Sequence, residues 1–366
     1  MGVRRLIISD LHFGSGDDLL GSPAALERLE PELAWADELV INGDLLELVF
    51  ASLQEAVDAA RPFLRLVNRH VGRVHYVVGN HDHHLVSLAG DERRFAEVLG
   101  LPAARMFGVA PADRLLHALC PDVDVVSVYP QCRLDGMCIM HGHYIAPHVG
   151  SSDWRLADRL AWYLGGFAVR PDRLTVSDYE GLIAPLYELM YEIANLPSGP
   201  CAQQRLQRWL GGAAAIAHAP KRASRRLATL AHVLSHHDDA RLLLGSAPPT
   251  TKVLEAMQAV CGNLEVQAAT VVFGHTHVAL DGVMTPNGRY RLFNSGAWVW
   301  DRRLRGGAGH REHGWPGTVL RATDGDLELR ALLADCDDGD LARMIGKAPR
   351  HRRRGKPRQP VPAPTY

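Results

Sequence analysis

Lysine is nearly missing from this sequence: Lys221, Lys252, Lys347 and Lys356 are the only ones in 366 residues, so positive charge is carried almost entirely by arginine. Charge of one sign is missing too, with 40 basic against 41 acidic side chains and a formal net charge of -1. Global electrostatics therefore gives no support to a nucleic-acid coat or a membrane-surface binder. The six cysteines, Cys120, Cys132, Cys138, Cys201, Cys261 and Cys336, form no CxxC pair and no cluster. That excludes a zinc ribbon and a small disulfide scaffold, and reduced thiols in a cytoplasmic protein are the expectation. Long apolar runs are absent. The opening "MGVRRLIISDLHFG" has an apolar run of only three residues before Ser9 and Asp10, too short for the core of a signal peptide. Nothing elsewhere reaches the roughly 18 to 20 residues of a membrane-spanning helix.

What the sequence does contain is a repeated event at the ends of short apolar runs. "RLIIS" stops at Asp10-Leu-His12, "ELVIN" at Gly43-Asp44, "VHYVV" at Gly79-Asn80-His81-Asp82, "MCIM" at His141-Gly-His143, and "ATVVF" at Gly274-His275-Thr-His277. Five predicted strands thus end on side chains able to hold a metal. In α/β sheets the ligand crevice lies beyond the carboxyl ends of the strands, where loops present side chains on a rigid support. Between the first strands, "SPAALERLEPEL" and "LQEAVDAARPFLRLVNRHV" repeat their apolar residues at helical spacing, as βαβ units require. Beyond Gly274 the period becomes strand-like, and Asp324-Gly325-Asp326 marks a hairpin turn. The fold class expected is α/β, with a mixed sheet first and mostly antiparallel strands building a second layer.

Residues from about 145 to 265 read instead as helices with broad apolar faces, such as "YEGLIAPLYELMYEIANL". Since ligand-bearing strands precede and follow them, they are expected to form a helical cap inserted over the site, within one domain spanning 1–335. From 336 to 366 the chain is rich in arginine and proline and is expected to be a disordered tail.

Asp10, His12, Asp44, Asn80, His141, His275 and His277 offer carboxylate, imidazole and amide ligands without a thiolate. That mixture suits Mn, Fe or Zn better than Ca. Seven ligands exceed the needs of one ion, so two divalent ions are expected, manganese first and iron or zinc as alternatives. A bridging carboxylate is then required, and Asp44 is the candidate. Two divalent ions carry four positive charges, and Asp10, Asp44 and a bridging hydroxide cancel three. The residual field favours a phosphate oxyanion, so hydrolysis of a phosphoester or pyrophosphate bond by a metal-bridging hydroxide follows more naturally than redox chemistry.

In their order, "DLH", "GDLLE", "GNHD", "MHGH" and "GHTH" resemble the motifs of the calcineurin-like metallophosphoesterase superfamily, over about residues 1–334. "FNSGAW" at 293–298 resembles that family's strand after the last motif. The resemblance implies a four-layer αββα sandwich, a first ion on Asp10, His12, Asp44 and His277, and a second on Asp44, Asn80, His141 and His275. It implies that His81 protonates the leaving oxygen or stabilises the transition state, with Asp82 orienting its imidazole. "GDLLE", "HGH" and the helical insertion look similar to the UDP-2,3-diacylglucosamine hydrolase branch. That branch typically reads "GNRD" and "HGD" where this chain has Asn80-His81-Asp82 and His141-Gly142-His143. The substrate expected is a phosphorylated small molecule or a lipid-like one. A nuclease or nucleic-acid phosphodiesterase is disfavoured by the neutral charge, and a silent scaffold by the complete ligand set.

Several residues have plainer readings. His83, His84 and His148 are expected to be loop or helix-start residues, because the coordination set is already full. "SHHDD" at 235–239 reads as a solvated helix cap. His143 is balanced between a substrate-side and a structural role, and Asn294 between supporting the site and packing. Glu47 either orients a ligand or caps the following helix. The aromatics of the insertion, Trp154, Trp162, Tyr163, Phe167, Tyr187, Tyr191 and Trp209, are expected to pack between helices, and Arg155, Arg159 and Arg170 to snorkel.

Overall fold

A computed structural model describes residues 2–87, 109–149, 174–181, 184, 187, 191, 251–300 and 314–346. Each predicted ligand-bearing strand is present: β1 (Arg5–Ile8), β2 (Glu38–Asn42), β3 (Arg73–Val77), β6 (Met137–Met140) and β7 (Thr270–Phe273). The other strands are β4 (Asp124–Val128), β5 (Gln131–Leu134), β8 (Leu280–Met284), β9 (Arg291–Asn294), β10 (Thr318–Thr323) and β11 (Asp326–Ala331). They form two sheets, ordered β11-β10-β1-β2-β3-β4 and β5-β6-β7-β9-β8. Parallel pairing joins β1 to β2, β2 to β3 and β3 to β4, and also β6 to β7 and β7 to β9. The hairpin β10–β11 pairs antiparallel, as its turn residues predict, but it extends the first sheet alongside β1, and the second layer is mixed, not mostly antiparallel.

The two-residue period of each strand decides the layers, because successive side chains point to opposite faces. Ile7, Val40, Val77, Met137, Ile139, Val272 and Phe293 come from both sheets and pack together as the layer between them. Their neighbours Leu6, Ile8, Leu39, Ile41 and Tyr76 point the other way, into a cluster with helix α1 (Pro23–Trp35) and helix α2 (Leu53–His70). Cys138, Met140, Val271, Phe273 and Leu292 point away from the second sheet onto helix Thr251–Asn263. The architecture is therefore two sheets face to face with helices outside, the αββα order.

Two expected boundaries move. The sequence places Thr251–Asn263 within the insertion, yet Val253, Met257, Val260 and Cys261 are buried against the second sheet, so this helix is the outer layer of the sandwich. The expected tail begins too early: Asp337 caps a helix, Asp338–Met344, whose Leu341 is buried in the first cluster. Its apolar face is short, which is why composition hid it beside the arginine-rich run. Most of the expected cap lies outside the described residues, as do "SHHDD", Trp154, Trp162, Tyr163, Phe167, Trp209 and the three arginines of the insertion. Among the described residues, no helix is long and apolar enough to cross a membrane.

Trp298 links core to site. It is fully buried, its indole N–H donates to the Thr318 carbonyl at 3.1 Å, and its backbone N–H donates to the Asp10 carbonyl at 3.0 Å. Trp298→Ala is expected to cost about 3–5 kcal/mol of stability, read by chemical denaturation. A loss below about 1 kcal/mol would show that the site loop does not depend on this anchor.

Candidate metal centre

Loops at the carboxyl ends of β1, β2, β3, β6 and β7 meet in one buried pocket. Five of the predicted ligands occupy the left-handed backbone region: Asp10 at φ 56°, His12 at 46°, Asp44 at 53°, His275 at 66° and His277 at 57°. For residues with a side chain this costs roughly 1–2 kcal/mol each, so the loops must be held from outside. They brace one another: Asp10 N–H donates to the Gly43 carbonyl, and Leu11 and His12 N–H both donate to the Asp44 carbonyl. The glycines permit the approach. A Cβ on Gly43 would lie 2.1 Å from Nδ1 of His141, and one on Gly79 would lie 2.3 Å from Oδ1 of Asp44.

The side chains fall into two sets. In one, His12 Nε2 lies 3.1 Å from His277 Nε2, 3.9 Å from Asp10 Oδ1 and 3.6 Å from Asp44 Oδ2, and His277 Nε2 lies 3.3 Å from Asp10 Oδ1. In the other, His141 Nε2 is 3.0 Å from both Asp44 Oδ2 and Asn80 Oδ1, and His275 Nδ1 is 2.9 Å from the same Asn80 oxygen. Neighbouring ligands of an octahedral ion at about 2.1 Å are roughly 3 Å apart, and those of a tetrahedral ion roughly 3.4 Å. The observed separations fit these values, and Asp44 belongs to both sets.

Tautomers agree with this reading. His141 Nδ1 donates to the Asn42 carbonyl at 2.9 Å, which leaves Nε2 with its lone pair toward Asp44 and Asn80. His12 Nδ1 pairs with Glu47 Oε2 at 3.1 Å, leaving its Nε2 toward Asp10 and His277. Such partners on the far nitrogen are how proteins orient imidazole ligands. Burial opposes charge at both Asp44 and His141, yet His141, His81 and His12 together hold Asp44 well below the usual carboxylate range. Against the same penalty, Asp44 carries His141 up to about 10. Burial instead holds His275 well below the usual histidine range, so the pull toward positive charge centres on Asp44 and His141. The donor set therefore fits two divalent ions.

Glu47 orients the ligand His12, as one of its two expected readings has it, and also takes the role expected of Asp82. Asp82 accepts from the backbone N–H of Gly79 and Leu45 and from the Tyr76 hydroxyl, and so ties the third loop to the second. The His81 imidazole turns instead to Glu47, with Nδ1 2.8 Å from both carboxylate oxygens. Glu47 is thus no helix cap; Ser52 caps α2, in a reciprocal pair with Glu55. His12, Glu47 and His81 lie within ligand distance of one another, but both imidazoles face the carboxylate with Nδ1, as N–H donors and not as ligands. Burial lowers His81 and raises Glu47, and their mutual attraction wins, placing His81 at about 9 and Glu47 at about 2. Glu47→Gln is expected to reduce activity or metal affinity about 10–100-fold, measured by steady-state kinetics and metal titration. Unchanged values in a folded variant would remove Glu47 from the site's support.

Asn294 supports the last loop, donating to the Gly274 carbonyl at 2.8 Å and to Thr276 Oγ1 at 3.1 Å. His83 lies in the turn directly before the helix His84–Ser87, as expected of a loop or helix-start residue, and is fully buried with its Nε2 2.8 Å from Glu180. No local signal could have found this pair, since 97 positions separate the two residues. His143 lies beside the second set, its ring centroid 5.6 Å from that of His141. His84 stacks on Tyr191 at 3.4 Å, and His148 Nε2 is 2.7 Å from the Tyr179 hydroxyl. Tyr187 is buried with Tyr144 and Val49, as a packing role requires.

Residues 3–164 match a family model described as calcineurin-like phosphoesterase. Among solved structures, a mutant cold-active protein tyrosine phosphatase is 15% identical, covering 90% of this chain and 80% of that one with a TM-score of 0.29. A dimetal phosphatase from Danio rerio is 12% identical, covering 91% of this chain and 100% of that one with a TM-score of 0.30. No curated protein matches the chain. The family match does not separate the UDP-2,3-diacylglucosamine hydrolase branch from its relatives. It includes Asp10, His12, Asp44, Asn80, His81 and His141, and the fold adds His275 and His277 from beyond it to complete both ligand sets. Over residues 3–164 this chain is thus similar to the calcineurin-like phosphoesterase family.

Proposed function

We propose that this chain is a two-metal phosphoesterase that hydrolyses a phosphoester or pyrophosphate bond in a phosphorylated small molecule or lipid-like substrate in the cytoplasm. The observation that supports it is the pair of ligand sets meeting at Asp44, each spaced as one ion would require. Asp10, His12, Asp44 and His277 would hold one ion, and Asp44, Asn80, His141 and His275 the other. Manganese is the first choice, with iron or zinc as alternatives. Bound ions of this kind lower the pKa of water toward neutrality and offset charge on phosphoryl oxygens.

The chain's own residues supply the rest. Only Asp10 and Asp44 bring negative charge to the ligand sets, so an anionic phosphate meets little carboxylate repulsion. His81 keeps Nδ1 on Glu47, while its Nε2 is buried without a partner. A protonated imidazole held in that way can deliver its Nε2 proton to the leaving oxygen. Glu47 keeps the ring oriented and favours the charged form.

The test is hydrolysis of bis-p-nitrophenyl phosphate and p-nitrophenyl phosphate by metal-stripped protein resupplied with Mn²⁺. Metal-dependent turnover of at least one is expected, and the preference separates diesterase from monoesterase. Full metal loading with no turnover of either, or of alkyl esters and pyrophosphates, would overturn the proposal.

A further inference from the structure

Behind the second ligand set lies a buried polar cluster that the mechanism above does not use. His83, Glu180, His143, Tyr144 and Tyr129 are all at most 8% exposed. Glu180 comes from a helical stretch, residues 176–181, between β6 and β7, and its partners come from elsewhere. His83 follows the third ligand loop, Tyr129 follows β4, and Tyr144 lies three residues beyond His141. Glu180 Oε2 takes the His83 Nε2 contact at 2.8 Å, and Oε1 accepts the hydroxyls of both tyrosines. One carboxylate thus joins the insertion to three segments around the site.

Counting protons fixes the rest. Burial pushes the Glu180 carboxyl up, but His83 and the two hydroxyls hold it at about 2. A carboxylate has no proton to give, so the Tyr129 hydroxyl proton lies toward Glu180. The Tyr129 oxygen is then left to accept, and His143 Nε2, 3.1 Å away, must be the N–H that donates to it. In the neutral ring Nδ1 is therefore a bare lone pair, and it is buried with no hydrogen-bond partner. Its ring is 5.6 Å from that of His141 and 6.4 Å from that of His275. A buried acceptor without a donor costs about 1–3 kcal/mol, a cost that a working site recovers when a proton-bearing oxygen enters.

We propose that Glu180 is a positioning residue of the site: through Tyr129 it holds His143 in the Nε2–H tautomer, with Nδ1 as an acceptor beside the histidines of the second ligand set. Its effect on turnover rests on the phosphoesterase reading; the state of His143 does not. A residue of the insertion, Glu180, then sets the hydrogen-bonding sense of a residue on the "HGH" loop.

The experiment is long-range ¹H–¹⁵N correlation on the full chain labelled at histidine, metal-free, with the His143 signal assigned through its loss in His143→Gln. Wild type is expected to show His143 as the Nε2–H tautomer alone. Tyr129→Phe is expected to release it into a mixture and to lower kcat/KM about 10–100-fold, with an unchanged far-UV circular dichroism spectrum. Glu180→Gln, which keeps an oxygen for the tyrosine hydroxyls, is expected to retain the tautomer, and Glu180→Ala to lose it. A wild-type Nδ1–H or mixed tautomer would overturn the proposal without any variant having to fold. A fixed tautomer that survives Tyr129→Phe would overturn it as well. If wild type turns over no phosphoester, the function proposed above fails, and the tautomer result still decides this inference by itself.

Discussion

Asp44→Asn is expected to lower kcat/KM by about a thousandfold or more and to reduce bound metal from two ions per chain to one or none. The argument is one of orientation. Asp44 Oδ1 accepts the His81 backbone N–H at 2.8 Å, while Oδ2 faces His141 Nε2 at 3.0 Å and His12 Nε2 at 3.6 Å. An asparagine must keep its oxygen on the His81 N–H, because two donors cannot face each other. Its NH₂ group then points at the position the two ligand sets share, where it can ligate nothing and carries no charge. Losing several kcal/mol of transition-state stabilisation corresponds to roughly three powers of ten. Metal analysis beside steady-state kinetics reads both effects, and far-UV circular dichroism confirms the fold. Two ions retained at near wild-type activity would refute the shared-carboxylate assignment.

His81→Gln is expected to lower kcat by about 10²–10⁴-fold, the range for loss of a general acid, while leaving metal content unchanged. The separation follows from geometry: His81 Nδ1 is occupied by Glu47 and belongs to neither ligand set. A glutamine can still reach Glu47 through its amide, so the carboxylate is not left without a partner. The diagnostic is the leaving group. p-Nitrophenolate departs without help, and an alkoxide does not, so the loss should be small on p-nitrophenyl esters and large on alkyl phosphates. An equal loss on both, or a loss of bound metal, would place His81 in a structural or ligating role.

Much of the site was legible because short parallel strands end abruptly and the residues at their ends are chemically unusual. The apolar runs before Asp10, Asp44, Asn80, His141 and His275 are β1, β2, β3, β6 and β7, and their ends converge. What adjacency suggested was less dependable. Asp82 stands next to His81 in sequence, yet the turn aims its carboxylate back at Gly79 and Leu45, and Glu47 reaches the imidazole from another loop. A tight turn sends neighbouring side chains apart, and only the fold shows which distant group fills the gap. The same holds for His83 and Glu180, which are 97 positions apart in sequence and meet only in the fold. The outer helix Thr251–Asn263 was misassigned because a broad apolar stripe looks alike on a cap and on the outside of a sandwich; contact with Val271 and Phe273 tells them apart.

The most direct measurement is a titration of the metal-stripped protein with Mn²⁺, following bound metal and phosphoester hydrolysis in the same samples. The account predicts two equivalents bound per chain, with hydrolysis rising in step with the second. Saturation at one equivalent, or full hydrolysis with no metal bound, would contradict it.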